Sequence, residues 1–82
     1  MNWYVYLVET ADTSLYCGVT NNLDKRIKDH NTSKRGAKYT RTRRPVKLIY
    51  FETYDSKSSA MKREYQIKQL SRIQKLKLVQ SI

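Results

Sequence analysis

The sequence predicts an α+β domain: a three-stranded antiparallel sheet flanked by helices, in the order ββαβαα. Three observations predict it. Two β-branched and aromatic runs flank a short polar turn near the N-terminus, a third such run follows in mid-chain, and helical apolar spacing follows the second and third runs. At 82 residues, one domain over 1–82 is expected. A chain of this size buries only roughly 60–65% of its unfolded surface. Any site must therefore lie on the sheet or between the sheet and its helices.

Trp3 to Val8 reads as the first strand, Thr10 to Ser14 as a polar turn and Leu15 to Thr20 as the second strand of a hairpin. If the loop is symmetric about Ala11, Tyr6 lies opposite Tyr16; a slip of one residue would part them to opposite faces. Asn21-Asn22 caps a helix whose Leu23, Arg26, Ile27 and His30 fall on one face. Asn31-Thr32-Ser33 ends it. The stretch from Lys34 to Pro45 has too few apolar groups to pack and is expected at the surface, as a loop or a short turn of helix. Val46 to Phe51 is apolar on both faces, as a well-covered third strand would be. Asp55 or Ser56 caps a helix to about Leu70, with Ala60, Met61 and Ile67 as its core stripe and Glu64 within that stripe. Ser71 starts a last short helix carrying Ile73, Leu76 and Val79 or Leu78.

Lys and Arg number 17 against 7 acids, a net charge of +10. So large an excess implies a polyanionic partner, with DNA first, RNA as the alternative and an acidic membrane surface behind both. No apolar run is long enough to span a membrane, and no signal peptide is visible. The single cysteine, Cys17, forbids an internal disulfide and suits a reducing cytoplasm. One His and one Cys exclude a Cys/His zinc site. There is no phosphate-binding or dinucleotide-binding glycine motif, and no small-molecule cofactor is expected.

Glu64 is the first candidate for chemistry. A carboxylate on an apolar helix stripe costs free energy unless it is paired, here with Lys68 or Arg26, or holds a metal; Mg²⁺ takes few protein carboxylates. An inward Arg26 is either that partner or a bidentate clamp for phosphoryl oxygens. His30 on the same face is a packing histidine or a proton carrier. Tyr6 and Tyr16 are core residues or, with cations near enough to lower the phenol pKa, general bases. Gly18 removes a side chain from the face of Tyr16, either for a β-bulge or to let a substrate backbone approach. Lys34, Arg35, Lys38, Arg41, Arg43 and Arg44, with Tyr39 among them, form a solvated charge run or a surface for phosphate contact and base stacking.

Tyr4-Val5-Tyr6, then Tyr16-Cys17-Gly18, then Arg26, His30 and Glu64 resemble the core of the GIY-YIG nuclease family over nearly the whole chain. The similarity is greatest to small stand-alone bacterial members, through Leu15 to Asn21, Gly36 to Thr40 and Arg43 to Leu48. The resemblance implies the same three-stranded fold and a role for each residue. Glu64 would bind one divalent metal, Mg²⁺ or Mn²⁺, and Tyr16 or Tyr6 would help activate the attacking water. Arg26 would stabilise charge on the phosphoryl group, and His30 would handle protons or bind phosphate. The chain departs from the pattern in lacking the Gly and Ile of the first motif and any Asn after Asn31, which bears on substrate positioning. It also lacks an appended DNA-recognition domain, so structure-guided or relaxed specificity is expected.

The resulting expectation is a cytoplasmic metal-dependent endonuclease acting on DNA, in repair or recombination, as a monomer or weak dimer. The competing readings are a non-catalytic nucleic-acid-binding module and an interaction subunit that retains the fold. A pure binder needs only the cations, so the joint presence of Tyr6, Tyr16, Arg26, His30 and Glu64 favours the enzyme.

Overall fold

The computed structural model describes residues 2–32 and 38–80. In chain order the elements are β1 (Trp3–Glu9), β2 (Leu15–Thr20), α1 (Leu23–Thr32), α2 (Lys38–Arg41), β3 (Lys47–Tyr54), α3 (Lys57–Lys68) and α4 (Arg72–Gln80). The single turn α2 lies within the basic segment. The sheet is antiparallel with strand order β2-β1-β3.

The central strand is therefore β1, and it carries the double-faced apolar pattern. Val5 and Leu7 face one side, Tyr6 and Val8 the other, and all four are buried. This corrects the expectation for the third strand. β3 is an edge strand, it runs on to Tyr54, and Lys47, Phe51 and Thr53 are exposed on it. Its pairing with β1 shifts between Leu7 and Val8, leaving Ile49 without a partner residue. Ile49 and Tyr50 consequently both reach the same core.

The sheet separates two cores. Val5, Leu7, Cys17, Tyr50, Ala60 and Ile67 form one under α3, joined by Leu78 and Val79 of α4. Tyr6, Val8 and Val46 form the other under α1, with Leu23 and Ile27 packed against them. Two expected core residues fall outside: Met61 is 50% and Ile73 67% exposed.

The hairpin register also differs from expectation. Glu9 pairs with Leu15, so the loop Thr10–Ser14 is centred on Asp12, and Tyr6 lies opposite Gly18 while Tyr16 lies opposite Val8. A shift of two residues preserves the faces, and Tyr6 and Tyr16 still share one. The loop is closed by its own polar groups. Thr10 N–H donates to the Ser14 carbonyl at 2.9 Å, and the Ser14 N–H donates to Thr10 Oγ1 at 3.1 Å.

Capping follows the sequence. Asn22 Oδ1 accepts from Lys25 N at the start of α1, and Ser56 Oγ from Ser59 N at the start of α3, both at 3.1 Å. Ser71 and Gln74 form a reciprocal capping box for α4, at 3.2 and 2.9 Å. Asn31 does more than end its helix: its side-chain amide donates to the Val46 carbonyl and accepts from the Val46 N–H, fixing the entry to β3. α3 is tied to β3 by Arg63, which grips Glu52 through two nitrogens at 2.9 and 3.1 Å. The Tyr50 and Tyr54 hydroxyls donate to the same carboxylate.

Candidate active site

β2 is an edge strand, so nothing of the sheet lies beyond it. A cleft of about 310 Å³ wraps this free edge and is lined from both faces. Tyr6, Tyr16, Gly18 and Arg26 come from the α1 side, and Trp3, Val19, Lys57, Met61 and Glu64 from the α3 side. Four of the five residues singled out for chemistry thus reach one cavity, although they come from four elements. The fifth, His30, lies behind the wall, fully buried.

Tyr6 is anchored there. Its hydroxyl is 2.8 Å from His30 Nε2, and His30 Nδ1 is 2.8 Å from Thr40 Oγ1, with both contacts buried. The His30 ring also meets Tyr6 and Tyr16 edge-on, at centroid distances of 5.8 and 5.4 Å. Burial pushes the Tyr6 phenol up to about 12, although a hydrogen bond to Arg26 and the charge of that guanidinium pull the other way. Burial, then the Arg26 charge, pushes His30 down to about 4, with Asp29 opposing. Both results revise the sequence-based picture. Tyr6 is a neutral phenol at neutral pH, since desolvation outweighs the cation beside it. His30 is a neutral imidazole and supplies no positive charge for phosphate.

The space above Gly18 is likewise filled from within. A side chain there would meet the Tyr6 hydroxyl, with Tyr6 Cζ only 2.6 Å away. The glycine makes room for the anchored phenol on the face where an approaching substrate backbone was expected. No bulge occurs there; the irregularity lies in the β1–β3 pairing.

Glu64 is the carboxylate that faces the cleft. Its side chain is 22% exposed, and Lys68 Nζ lies 3.6 Å away, so the expected i, i+4 pair forms but is loose and half in water. Among the described residues no three His, Cys, Asp or Glu side chains cluster as a metal cage. One accessible carboxylate suits a hard cation that keeps most of its water. Burial, then the Glu64 charge, pushes the Cys17 thiol up to about 12, so it stays protonated.

In the basic segment, expected as a solvated charge run or a surface for phosphate contact and base stacking, several side chains have partners within the fold. Lys34 and Arg35 lie outside the described residues, and Lys38 opens α2. Tyr39 stacks on Tyr16 at 6.0 Å, and the Arg43 guanidinium sits 4.1 Å over the Tyr39 ring. Arg43 also pairs with Asp12 at 3.1 Å and donates to the Tyr39 carbonyl at 2.9 Å. Arg44 donates to the His30 and Asp29 carbonyls, covering the last turn of α1. Tyr39, Arg43 and Arg44 thus fasten the segment to the fold, whereas Arg41 is exposed.

Three residues of this region escaped the sequence reading. Thr40 is fully buried against His30. Arg72 and Lys75 of α4 line a groove of about 230 Å³ with Ser14, Leu15 and Tyr39. A threonine in a basic run and two cations on a short helix carry no distinguishing sequence signal.

Comparison with known families assigns this fold to the nuclease type. The model of the GIY-YIG catalytic domain matches residues 2–77, and the chain belongs to the GIY-YIG family. A UPF0213 protein of Clostridium perfringens is 59% identical over 78 residues, spanning 95% of this chain and 83% of that one. A UPF0213 protein of Natronomonas pharaonis is 51% identical over 76 residues, spanning 93% of this chain and 88% of that one. The solution NMR structure of a UPF0213 protein from Bacillus halodurans superposes with a TM-score of 0.62 at 49% identity, covering 98% of this chain and 84% of that one. A solution NMR structure of an E. faecalis protein gives 0.67 at 35% identity, covering 99% and 85%. Those names carry no activity. Among the described residues no helix is long and apolar enough to cross a membrane.

Proposed function

We propose that this protein is a metal-dependent endonuclease that hydrolyses a phosphodiester bond of DNA, with structure-guided or relaxed specificity, in repair or recombination. The observation that carries the reading is the β2-edge cleft, where Tyr6, Tyr16, Arg26 and Glu64 line one cavity. A module that only bound nucleic acid would have no use for a lone carboxylate among cations there.

Glu64 would hold one divalent ion, Mg²⁺ or Mn²⁺, which when bound supplies Lewis acidity to the phosphoryl and leaving oxygens. Arg26 places fixed positive charge where negative charge develops on the phosphoryl group. Tyr6 presents a neutral hydroxyl backed by His30, so it takes a proton from water only while releasing its own to Nε2. The phenol and imidazole then act as a relay in place of a free phenolate. Tyr16 forms the adjoining wall, its ring stacked on Tyr39.

The test is nicking of supercoiled plasmid and of branched DNA with and without Mg²⁺ or Mn²⁺, for wild type and Glu64→Gln. Wild type should cut only with the ion. Glu64→Gln should lose cutting but retain DNA binding. Its melting temperature should stay close to wild type, because an ion pair this exposed contributes only about 0.2–1 kcal/mol. Wild type that binds DNA but never cuts would indicate the non-catalytic module. A variant that cuts normally would remove Glu64 as metal ligand.

A further inference from the structure

We propose that Thr40 is a positioning residue that fixes the tautomer of His30, and so the direction in which the Tyr6 hydroxyl points its proton. The consequence for cleavage rests on the nuclease reading; the tautomer itself does not.

His30 is completely buried, and each ring nitrogen has a hydroxyl partner at 2.8 Å. A neutral imidazole has one N–H. Two arrangements are therefore open. In the first, Nδ1–H donates to Thr40 Oγ1, and Nε2 accepts the Tyr6 O–H. In the second, the Thr40 hydroxyl donates to Nδ1, and Nε2–H donates to Tyr6 Oη. The nitrogen that carries the proton is set by the hydrogen bond that the other makes.

The surroundings select the first. Arg26 lines the cleft together with Tyr6 and always carries its charge. Its positive charge favours a phenol proton that points away from it, toward Nε2. Thr40 Oγ1, 2.8 Å from Nδ1, can accept from Nδ1–H, so this tautomer leaves no buried N–H without a partner. In this arrangement Tyr6 Oη keeps a lone pair for a proton from the cleft. In the second, Nε2–H takes a lone pair of Tyr6 Oη, and the phenol proton points out of the His30 contact, toward the cleft and the Arg26 charge. Thr40 does not line the cleft; it acts through His30.

His30 is the only histidine of the chain, so its ring signals are unambiguous. Long-range proton–nitrogen correlation spectra of the intact protein at neutral pH read the tautomer directly. Wild type is expected to show a protonated Nδ1 and a bare Nε2. Thr40→Val keeps the shape and removes the acceptor, and should move the proton to Nε2; Thr40→Ser should restore the wild-type pattern. In single-turnover plasmid nicking with Mg²⁺, Thr40→Val should be about tenfold to a hundredfold slower, as for other partners that orient a functional histidine, and Thr40→Ser close to wild type. A protonated Nε2 in wild type overturns the proposal even if the Val variant does not fold. So does an unchanged tautomer in a folded Val variant. If wild type shows the expected tautomer but cuts no DNA, the nuclease reading fails and the role of Thr40 as tautomer-setter stands.

Discussion

Replacing Tyr6 by Phe removes a hydroxyl that His30 holds at 2.8 Å and that Arg26 also contacts. Tyr16→Phe removes a hydroxyl from a ring held by its faces and edges, against Tyr39 and His30. Loss of a general base typically slows a reaction by about 10²–10⁴-fold. Tyr6→Phe should therefore show the larger loss in single-turnover cleavage, reversing the order that chain proximity to Arg26 and His30 suggests. It should also destabilise the fold by about 1–3 kcal/mol, because a buried His30 nitrogen is left without its partner. Equal rates for Tyr6→Phe and wild type would make the phenol structural only. A second residue-scale outcome concerns acid. His30 titrates near 6.5 when unfolded and near 4 when folded. Between these values the unfolded chain binds more protons, so stability falls as pH falls. The contribution is complete above about pH 6.5 and lost progressively toward pH 4, to a total on the order of 3 kcal/mol. Asp12 and Glu52, held below the ordinary carboxylate range by hydrogen bonds from Thr10 and Arg63 against their own burial, lose their contributions at lower pH. Urea unfolding between pH 7 and 5 should show the slope in wild type and not in a folded His30→Asn variant.

At the scale of elements, β2 owes its place in the site to Gly18. The phenol of Tyr6 crosses from β1 into the space over that glycine and reaches His30 on α1. Gly18→Ala would push a methyl group into a ring that His30 pins in a buried position. It should cost about 1–3 kcal/mol, as overpacking does, and lower cleavage by displacing the hydroxyl. Thermal melting and nicking of the same preparation check both; an Ala variant as stable and active as wild type would show that the ring is free to move aside. The strands, α1 and α3 are legible in the sequence because alternation and helical spacing are local patterns. Leu23, Arg26, Ile27 and His30 fall on one face whatever the rest of the chain does. The hairpin register is not legible in the same way. Its centre at Asp12 depends on hydrogen bonds between Thr10 and Ser14 and on Arg43, a residue far along the chain, pairing with Asp12.

For the whole molecule, a net charge of +10 predicts DNA affinity that falls steeply with salt, with each neutralised phosphate contributing about −0.9 to the slope of log K against log salt. The structure divides the basic segment by task. Arg41→Glu, at an exposed position, should weaken binding and flatten the slope with no change in melting temperature. Arg43→Glu and Arg44→Glu should lower the melting temperature, because those side chains hold the hairpin tip and the end of α1. Salt titration of binding to a labelled duplex, beside thermal melts, separates the two; a stable Arg43→Glu or Arg44→Glu protein would refute the fastening role.

Composition and periodicity by themselves determined the class of fold, the expectation of a polyanionic partner, and the set of residues worth watching, because charge and repeat are properties of the chain alone. Only the tertiary structure decided which of those residues meet and in what state of protonation. His30 is neutral because the fold removes it from water. Tyr6 keeps its proton for the same reason, and Arg43 and Arg44 lie against the fold because Asp12, Tyr39 and the end of α1 offer partners. Thr40 enters the site from a basic run because α2 lands on His30. Desolvation and hydrogen-bond partnership are set by residues distant in sequence, and no local pattern encodes them.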